Sequence, residues 1–199
     1  MRVTITTRKN AGRRAEKRLR LMHRVQEVAV RRFSERGFAD VTVEEVAAEA
    51  DVAPVTVYRH FGTKERLVLW DEFDPPILEE VRRRLQSNAP LDALRGALEA
   101  LLNEVYAREA PMALARAALI EREPALAAAA ATDSRGFARA IAALVAEAGT
   151  PPFEGRVLAE AGVAALAAAV SEWQARDGRT PLADLIGEAF EALQAQVSR

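Results

Sequence analysis

The run Thr42–Leu67, TVEEVAAEADVAPVTVYRHFGTKERL, constrains the fold of this chain more than any other stretch. Thr42 suits a helix N-cap, and Glu45 three residues later completes a capping box. Val43, Val46, Ala47 and Ala50 then recur at helical spacing as one buried side. Asp51 and Val52 make a turn. Pro54 falls in the first turn of the next helix, where its missing N–H costs little. That helix is short, Val55 to His60, and Gly62 ends it. Thr63 caps a further helix that begins at Lys64 and carries Val68, Leu69, Trp70 and Phe73. Two short helices therefore meet at a tight turn, and a third starts at once.

Upstream, from about Arg18 to Arg36, Leu21, Val25, Val28, Ala29 and Phe33 form a helical stripe, with Arg24, Arg31 and Arg32 mostly off it. Gly37 sits where a left-handed C-cap belongs. Residues 1–14 carry Arg8, Lys9, Arg13 and Arg14 without apolar partners at helical spacing, and read as a flexible basic arm. Downstream, Pro75-Pro76 breaks or kinks the helix begun at Lys64. The remainder predicts helices over Ile77–Gln86, Leu91–Tyr106, Met112–Ile120, Ala125–Ala148, Phe153–Asp177 and Leu182–Val197, with prolines between them. Sustained period-2 alternation is absent, so the chain reads as all-α. The expected domains are the arm 1–14, a helical head 15–70 and a larger helical body 71–199.

Charge divides the chain at the same place. Residues 1–70 hold 15 Lys+Arg against 9 Asp+Glu, and the rest holds 13 against 20, which the net charge of −1 conceals. A basic head suits a polyanion. There is no cysteine, which excludes disulfides, thiol catalysis and Cys-based zinc sites. No run of about 18 apolar residues is present to span a membrane. No apolar segment follows the basic N-terminus as it would in a signal peptide. A cytoplasmic protein without membrane partners is expected.

Short helix, turn, short helix is the outline of a helix-turn-helix, whose second helix enters a DNA major groove. With Val52, Val57 and Phe61 facing the core, Pro54, Val55, Thr56, Tyr58, Arg59 and His60 face outward. Thr56 offers a hydroxyl or methyl to a base, and Arg59 donates to guanine or phosphate. Tyr58 and His60 have polar tips that reach phosphates. Lys64 and Thr42, each at a helix N-terminus, suit phosphate as well. Taken singly, Tyr58 reads more readily as a core aromatic with a bonded hydroxyl, and His60 as a satisfied surface histidine. Together, beside a basic arm, they point to DNA, with Thr56, Val55 and Arg59 carrying most of the sequence reading.

The run Phe33-x-x-x-Gly37-Phe38, then Thr42–Ala47, then Val57-Tyr58-Arg59-His60-Phe61-Gly62-Thr63-Lys64-Glu65-Arg66-Leu67 resembles the DNA-binding domain of the TetR family of transcriptional regulators, over about residues 18–70. The resemblance implies a three-helix DNA-binding head and a larger C-terminal ligand-binding body. It implies a homodimer, usually a repressor released by a small molecule. By position, Thr42, Thr56, Tyr58, His60 and Lys64 match the family's DNA-contact positions. The chain departs from the family in two places: Asp51 stands where the turn usually has glycine, and Ala53-Pro54-Val55-Thr56 precedes the tyrosine.

One head cannot read a long palindrome, whereas two heads one helical turn apart can, so pairing is expected in the body. The candidate surfaces are Val157, Leu158, Ala161 and Ala165 on one helix and Leu182, Leu185, Ile186, Ala189 and Leu193 on the last. The same stripes would also serve the body's own core. Tyr106, Met112, Phe137 and Trp173 are candidates to line an apolar ligand cavity, and an ordinary core accounts for each equally well. The body has no histidine, so an apolar ligand is favoured over a transition metal, and no cofactor is called for. Enzyme chemistry finds little support. His23 and His60 are the only histidines, and no Gly-rich phosphate loop, nucleophile or base is assembled. A transcriptional activator, or a regulator controlled by a protein partner instead of a ligand, is the alternative reading.

Overall fold

The structure is a computed structural model that describes the backbone of residues 3–197 and the side chains of 13–102 and 110–195. The described residues form helices α1 (Val3–Arg36), α2 (Val43–Glu49), α3 (Pro54–Phe61), α4 (Arg66–Leu69), α5 (Asp74–Arg84), α6 (Pro90–Arg122), α7 (Pro124–Glu147), α8 (Pro152–Ala175) and α9 (Leu182–Val197), and contain no strand. The chain is all-α, with a helix-turn-helix near its N-terminus and a larger helical C-terminal part. It divides into two compact units. The first is Met1–Trp70 with Leu119–Leu126, and the second is Asp71–Ala118 with Ala127–Arg199.

In the first unit, Val25, Ala29, Val30 and Phe33 of α1 are buried with Val46 and Ala47 of α2, Val57 of α3 and Leu67 and Val68 of α4. Leu119 and Leu126 are buried too, and the Arg122 guanidinium donates to the Phe33 carbonyl at 3.3 Å. The end of α6 and the start of α7 therefore belong to this unit, although sequence alone assigns them to the body. In the second unit, Ile77 and Val81 of α5, Leu94, Leu98 and Leu102 of α6, Ile141 and Val145 of α7, Ala159, Ala169 and Trp173 of α8, and Leu182, Ile186 and Phe190 of α9 form one core. The short connection 176–181 makes α8 and α9 neighbours along their length. Gly162 lets α6 come close, because a Cβ there would lie 2.5 Å from Cδ2 of Leu94.

Several expectations need correction. Helix α1 begins at Val3, so most of the stretch expected as an arm is helical backbone. Its one glycine, Gly12, costs only about 1 kcal/mol in the helix. The helix expected from Lys64 to Phe73 is the four-residue α4, and Pro75 and Pro76 lie in the first turn of α5, where N–H groups need no intrahelical acceptor. Pro111 does not separate two helices. It sits inside α6, where it removes one N–H···O bond from a helix of 33 residues. Within α1, Leu21 and Val28 are only half-buried, while Met22, Gln26 and Val30 complete the buried face.

Candidate nucleic-acid interface

The interface is built on α2 and α3. The Thr42 hydroxyl accepts from Glu45 N at 3.1 Å, and Thr42 N donates to Glu45 Oε2 at 2.8 Å, so the expected capping box is present. This contact and Arg36 at 2.7 Å hold the Glu45 carboxyl at a pKa of about 2, the Thr42 N–H contributing most. Arg31 and Arg32 both pair with Glu49, fastening α1 to the end of α2.

The turn is a Schellman motif. Asp51 N donates to Ala48 O at 3.2 Å and Val52 N to Ala47 O at 3.0 Å, with Asp51 at φ 54°. Asp51 thus takes the left-handed backbone that the family usually gives to glycine. Pro54 then starts α3, and Gly62, at φ 78°, ends it with its N–H on Tyr58 O at 2.9 Å.

Helix α3 is two-faced. Val57 and Phe61 are 1% and 5% exposed, whereas Val55 is 73% and Tyr58 46% exposed. Pro54 and Arg59 are also exposed, and Thr56 and His60 are half-exposed. An apolar residue so open as Val55 is unusual on a helix with a buried face, and suits contact with a thymine methyl. Val52, expected in the core, is half-buried. The Tyr58 hydroxyl donates to Glu44 Oε1 at 3.3 Å, so the ring stands over α2 instead of entering the core. Partial burial, and then the Glu44 carboxylate, push its pKa up. For His60 the direction is down, through burial first and then the cations Arg59 and Arg18.

Lys64 stands apart from the other expected contacts. It precedes α4 by two residues, so it is not at the helix N-terminus proper, and Thr63 Oγ1 accepts from Arg66 N at 3.4 Å. The Lys64 ammonium donates to Phe38 O and, at 3.5 Å, to Ala39 O, and lies 4.5 Å from the Phe38 ring centroid. It therefore stitches the segment after α1 to the segment before α4. Thr42, Pro54, Val55, Thr56, Tyr58, Arg59 and His60 come from the two helices of the motif, and Lys64 from its edge.

The body candidates are less coherent. Leu182, Leu185 and Ile186 are 2%, 3% and 0% exposed and belong to the body core, so they are not available for pairing. A stripe on a terminal helix reads the same in sequence whether it faces its own core or a second chain. Leu158, Ala161, Ala165, Ala189 and Leu193 are half-buried, and Val157 is 51% exposed beside Phe153 at 70%. Trp173 is a core residue whose ring packs against Gly178, and Phe137 lies partly buried against the same core. Met112 is half-buried, and the Tyr106 side chain lies outside the described residues. A groove of about 690 Å³ on the body is lined by Arg84, Arg95, Glu99, Asp184, Glu188 and Glu191 among others, and none of the expected ligand residues lines it. Among the described residues no three His, Asp or Glu could hold a metal, and no helix is long and apolar enough to cross a membrane.

Gln26 is a residue that sequence reasoning missed. Buried beneath α4, its Nε2 donates to Val68 O at 3.2 Å and Trp70 O at 2.9 Å. Its place on the buried stripe of α1, between Val25 and Ala29, was the available signal.

Residues 26–69 match the family described as bacterial regulatory proteins, tetR family, and residues 88–198 match the MftR C-terminal domain. A protein of Mycobacterium tuberculosis named as a mycofactocin biosynthesis transcriptional regulator, MftR, is 28% identical over 186 residues, which is 89% of this chain and 91% of that protein. The transcriptional regulator TcmR of Streptomyces glaucescens is 31% identical over 62% of this chain and 58% of its own. Among solved structures, FadR of Thermus thermophilus, a TetR-family repressor in complex with lauroyl-CoA, superposes with a TM-score of 0.50 at 27% identity, covering 87% of this chain and 93% of FadR. With its helix-turn-helix and its MftR-type C-terminal domain, the chain belongs to the TetR family of DNA-binding transcriptional regulators.

Proposed function

We propose that the protein is a homodimeric repressor that holds a near-palindromic operator and leaves it when the body binds a small ligand with an apolar part. The observation that carries the DNA-reading part is the outer face of α3. Val55, Thr56, Tyr58 and Arg59 project from a helix fixed by buried Val57 and Phe61. Thr56, Val55 and Arg59 read bases, while Thr42, Tyr58, His60 and Lys64 hold phosphates. Pairing runs through the outer side of α8, where Phe153 and Val157 are, among the described residues, the exposed large apolar side chains of the body. Ligand release works as a population shift, the ligand favouring a head spacing that does not fit the operator. The likeness to a FadR that holds lauroyl-CoA makes an acyl thioester the first ligand class to try.

The test is footprinting of the purified protein on DNA flanking its own gene at two salt concentrations, with lauroyl-CoA added as the first probe. Protection of a near-palindrome, lost on ligand addition, supports the reading. Thr56→Ala should then change base preference at one position of each half-site. Weak, uniform binding that salt erases on every sequence would refute operator reading. Protection that no acyl thioester relieves would refute the ligand class.

A further inference from the structure

Helix α1 is longer than the head it packs on. Met22, Val25, Ala29 and Phe33 are 6% exposed or less and lie on one face of it. Stepping back along that face by four residues at a time leads to Arg18 and then Arg14, both exposed. The stripe that is apolar against the core becomes cationic where it passes the core's edge. Residues 13–24 hold six basic side chains, Arg13, Arg14, Lys17, Arg18, Arg20 and Arg24, and one acidic, Glu16, which pairs with Arg20 at 3.9 Å. Among the described residues neither Arg14 nor Arg18 has a carboxylate partner.

The core-side end of this segment and the end of α3 share one neighbour, Trp70. The rings of His23 on α1 and Phe61 on α3 both meet the Trp70 ring edge-on, at 5.3 and 6.0 Å. Arg18 is five residues before His23, about 7.5 Å along the axis. Its charge is felt at His60 at the end of α3, together with that of Arg59. The cationic stripe thus begins, at Arg18, within electrostatic reach of the end of the helix that reads DNA.

We propose that the N-terminal part of α1 is a second DNA-contacting element, in which Arg14 and Arg18 hold backbone phosphates of the same duplex beside the groove that α3 enters. The proposal rests on the DNA-reading assignment of α3. A polyanion backbone suits it because the stripe offers charge without apolar surface, and a guanidinium fork matches a phosphate.

The test uses the full chain and a duplex of about 40 base pairs of arbitrary sequence, titrated by fluorescence anisotropy across salt concentrations. Each lost phosphate contact lowers the slope of log K against log salt by about 0.9, so Arg14→Gln with Arg18→Gln should lower it by about 1.8 per protomer. Between about 50 and 200 mM salt, wild type should then lose about twelvefold more affinity per protomer than the variant. Arg14→Lys with Arg18→Lys should keep most of the slope. Arg135→Gln with Arg139→Gln, exposed on α7, should leave it unchanged. Circular dichroism verifies that helix content is kept. An unchanged slope in the Arg14/Arg18 glutamine variant, with wild type binding normally, overturns this proposal alone. An equal loss in the α7 pair also overturns it. Wild type that binds no duplex at all overturns the DNA-reading assignment as well.

Discussion

Replacing Gln26 by leucine should destabilise the head by about 2 kcal/mol. Gln26 is 6% exposed and is the one buried polar side chain among the described residues. Its amide spans from α1 to the end of α4, bonding Val68 O at 3.2 Å and Trp70 O at 2.9 Å. Helix α4 has only four residues, and α1 supplies a donor to carbonyls at its end. Leucine keeps the volume and removes both donors. Val68 is 0% exposed, so its carbonyl loses this bond where water is excluded, at about 1–3 kcal/mol. Trp70 is half-exposed, so loss of that bond costs nearer 1 kcal/mol. The extra apolar burial of leucine offsets about 1 kcal/mol.

Urea unfolding followed by tryptophan fluorescence in a Trp173→Phe background, which leaves Trp70 as the reporter, checks this. A loss of about 2 kcal/mol moves the midpoint down by about 1 M at a slope near 2 kcal/mol/M. Gln26→Glu supplies the sign. A carboxylate facing two carbonyl oxygens in a buried site has its folded pKa raised, because only the protonated acid can donate. Its stability should be greatest below the unfolded pKa of about 4.3 and fall as pH rises through the folded value. A leucine variant as stable as its background, or a glutamate variant without this pH dependence, would show that the amide does not tie α4 to α1.

Three further outcomes follow from the same contacts. Glu45 has a folded pKa of about 2 against an ordinary 4.5, so its contribution is present above 4.5 and lost as pH falls toward 2; Glu45→Gln should flatten that part of an acid-unfolding curve, and an unchanged curve would remove the assignment. Gly162→Ala should lower thermal stability by about 1 kcal/mol, overpacking against Leu94 outweighing the gain in helix propensity, and a more stable variant would mean that Leu94 swings aside. Lys64→Met should lower stability by about 1–2 kcal/mol in urea, through lost bonds to Phe38 O and Ala39 O, and lower the DNA salt slope by about 0.9 per protomer through the ammonium's third donor. A stability loss with the slope intact would make Lys64 a staple of the head alone.

The parts of the molecule that were legible in sequence are those where one residue type has one physical use. Thr42 with Glu45, Pro54 and Gly62 mark ends that few other residues can make, and the structure has caps and turns at each. The proline-flanked starts of α7 and α8 were within a residue or two of the expectation for the same reason. Pro111 was misleading because a long helix can absorb one missing bond, which no local rule registers. The faces of α8 and α9 were illegible for a different reason. Leu182, Leu185 and Ile186 form an apolar stripe, but periodicity tells which side is apolar and not what covers it. Gln26 went unnoticed because a lone polar residue on an apolar stripe reads as an interruption, whereas its amide donates to Val68 O and Trp70 O at the end of α4.

Asp51 bears on how the angle between α2 and α3 is held. With α2 ending at Glu49, Asp51 is the residue just past the C-cap, and both Schellman bonds are formed around it. The same arrangement recurs after α8, where Asp177 has φ 51° and Gly178 N reaches Trp173 O at 2.9 Å, and after α7, where Gly149 takes the position at φ 102°. A left-handed backbone costs an L-residue about 1–2 kcal/mol, less for aspartate, whose short side chain can bond locally. Glycine removes that strain but loses about 0.4–1 kcal/mol through the greater freedom of the unfolded chain. Asp51→Gly should therefore gain about 0.5 kcal/mol, and Asp51→Ala should lose about 1 kcal/mol, both read from urea midpoints. DNA affinity should be unchanged in the glycine variant, because the two backbone bonds, and not the side chain, set where α3 leaves the turn. An alanine variant as stable as wild type would show that the turn relaxes out of the left-handed region. In that case its DNA affinity should fall, since α3 would no longer be presented at the angle the motif fixes.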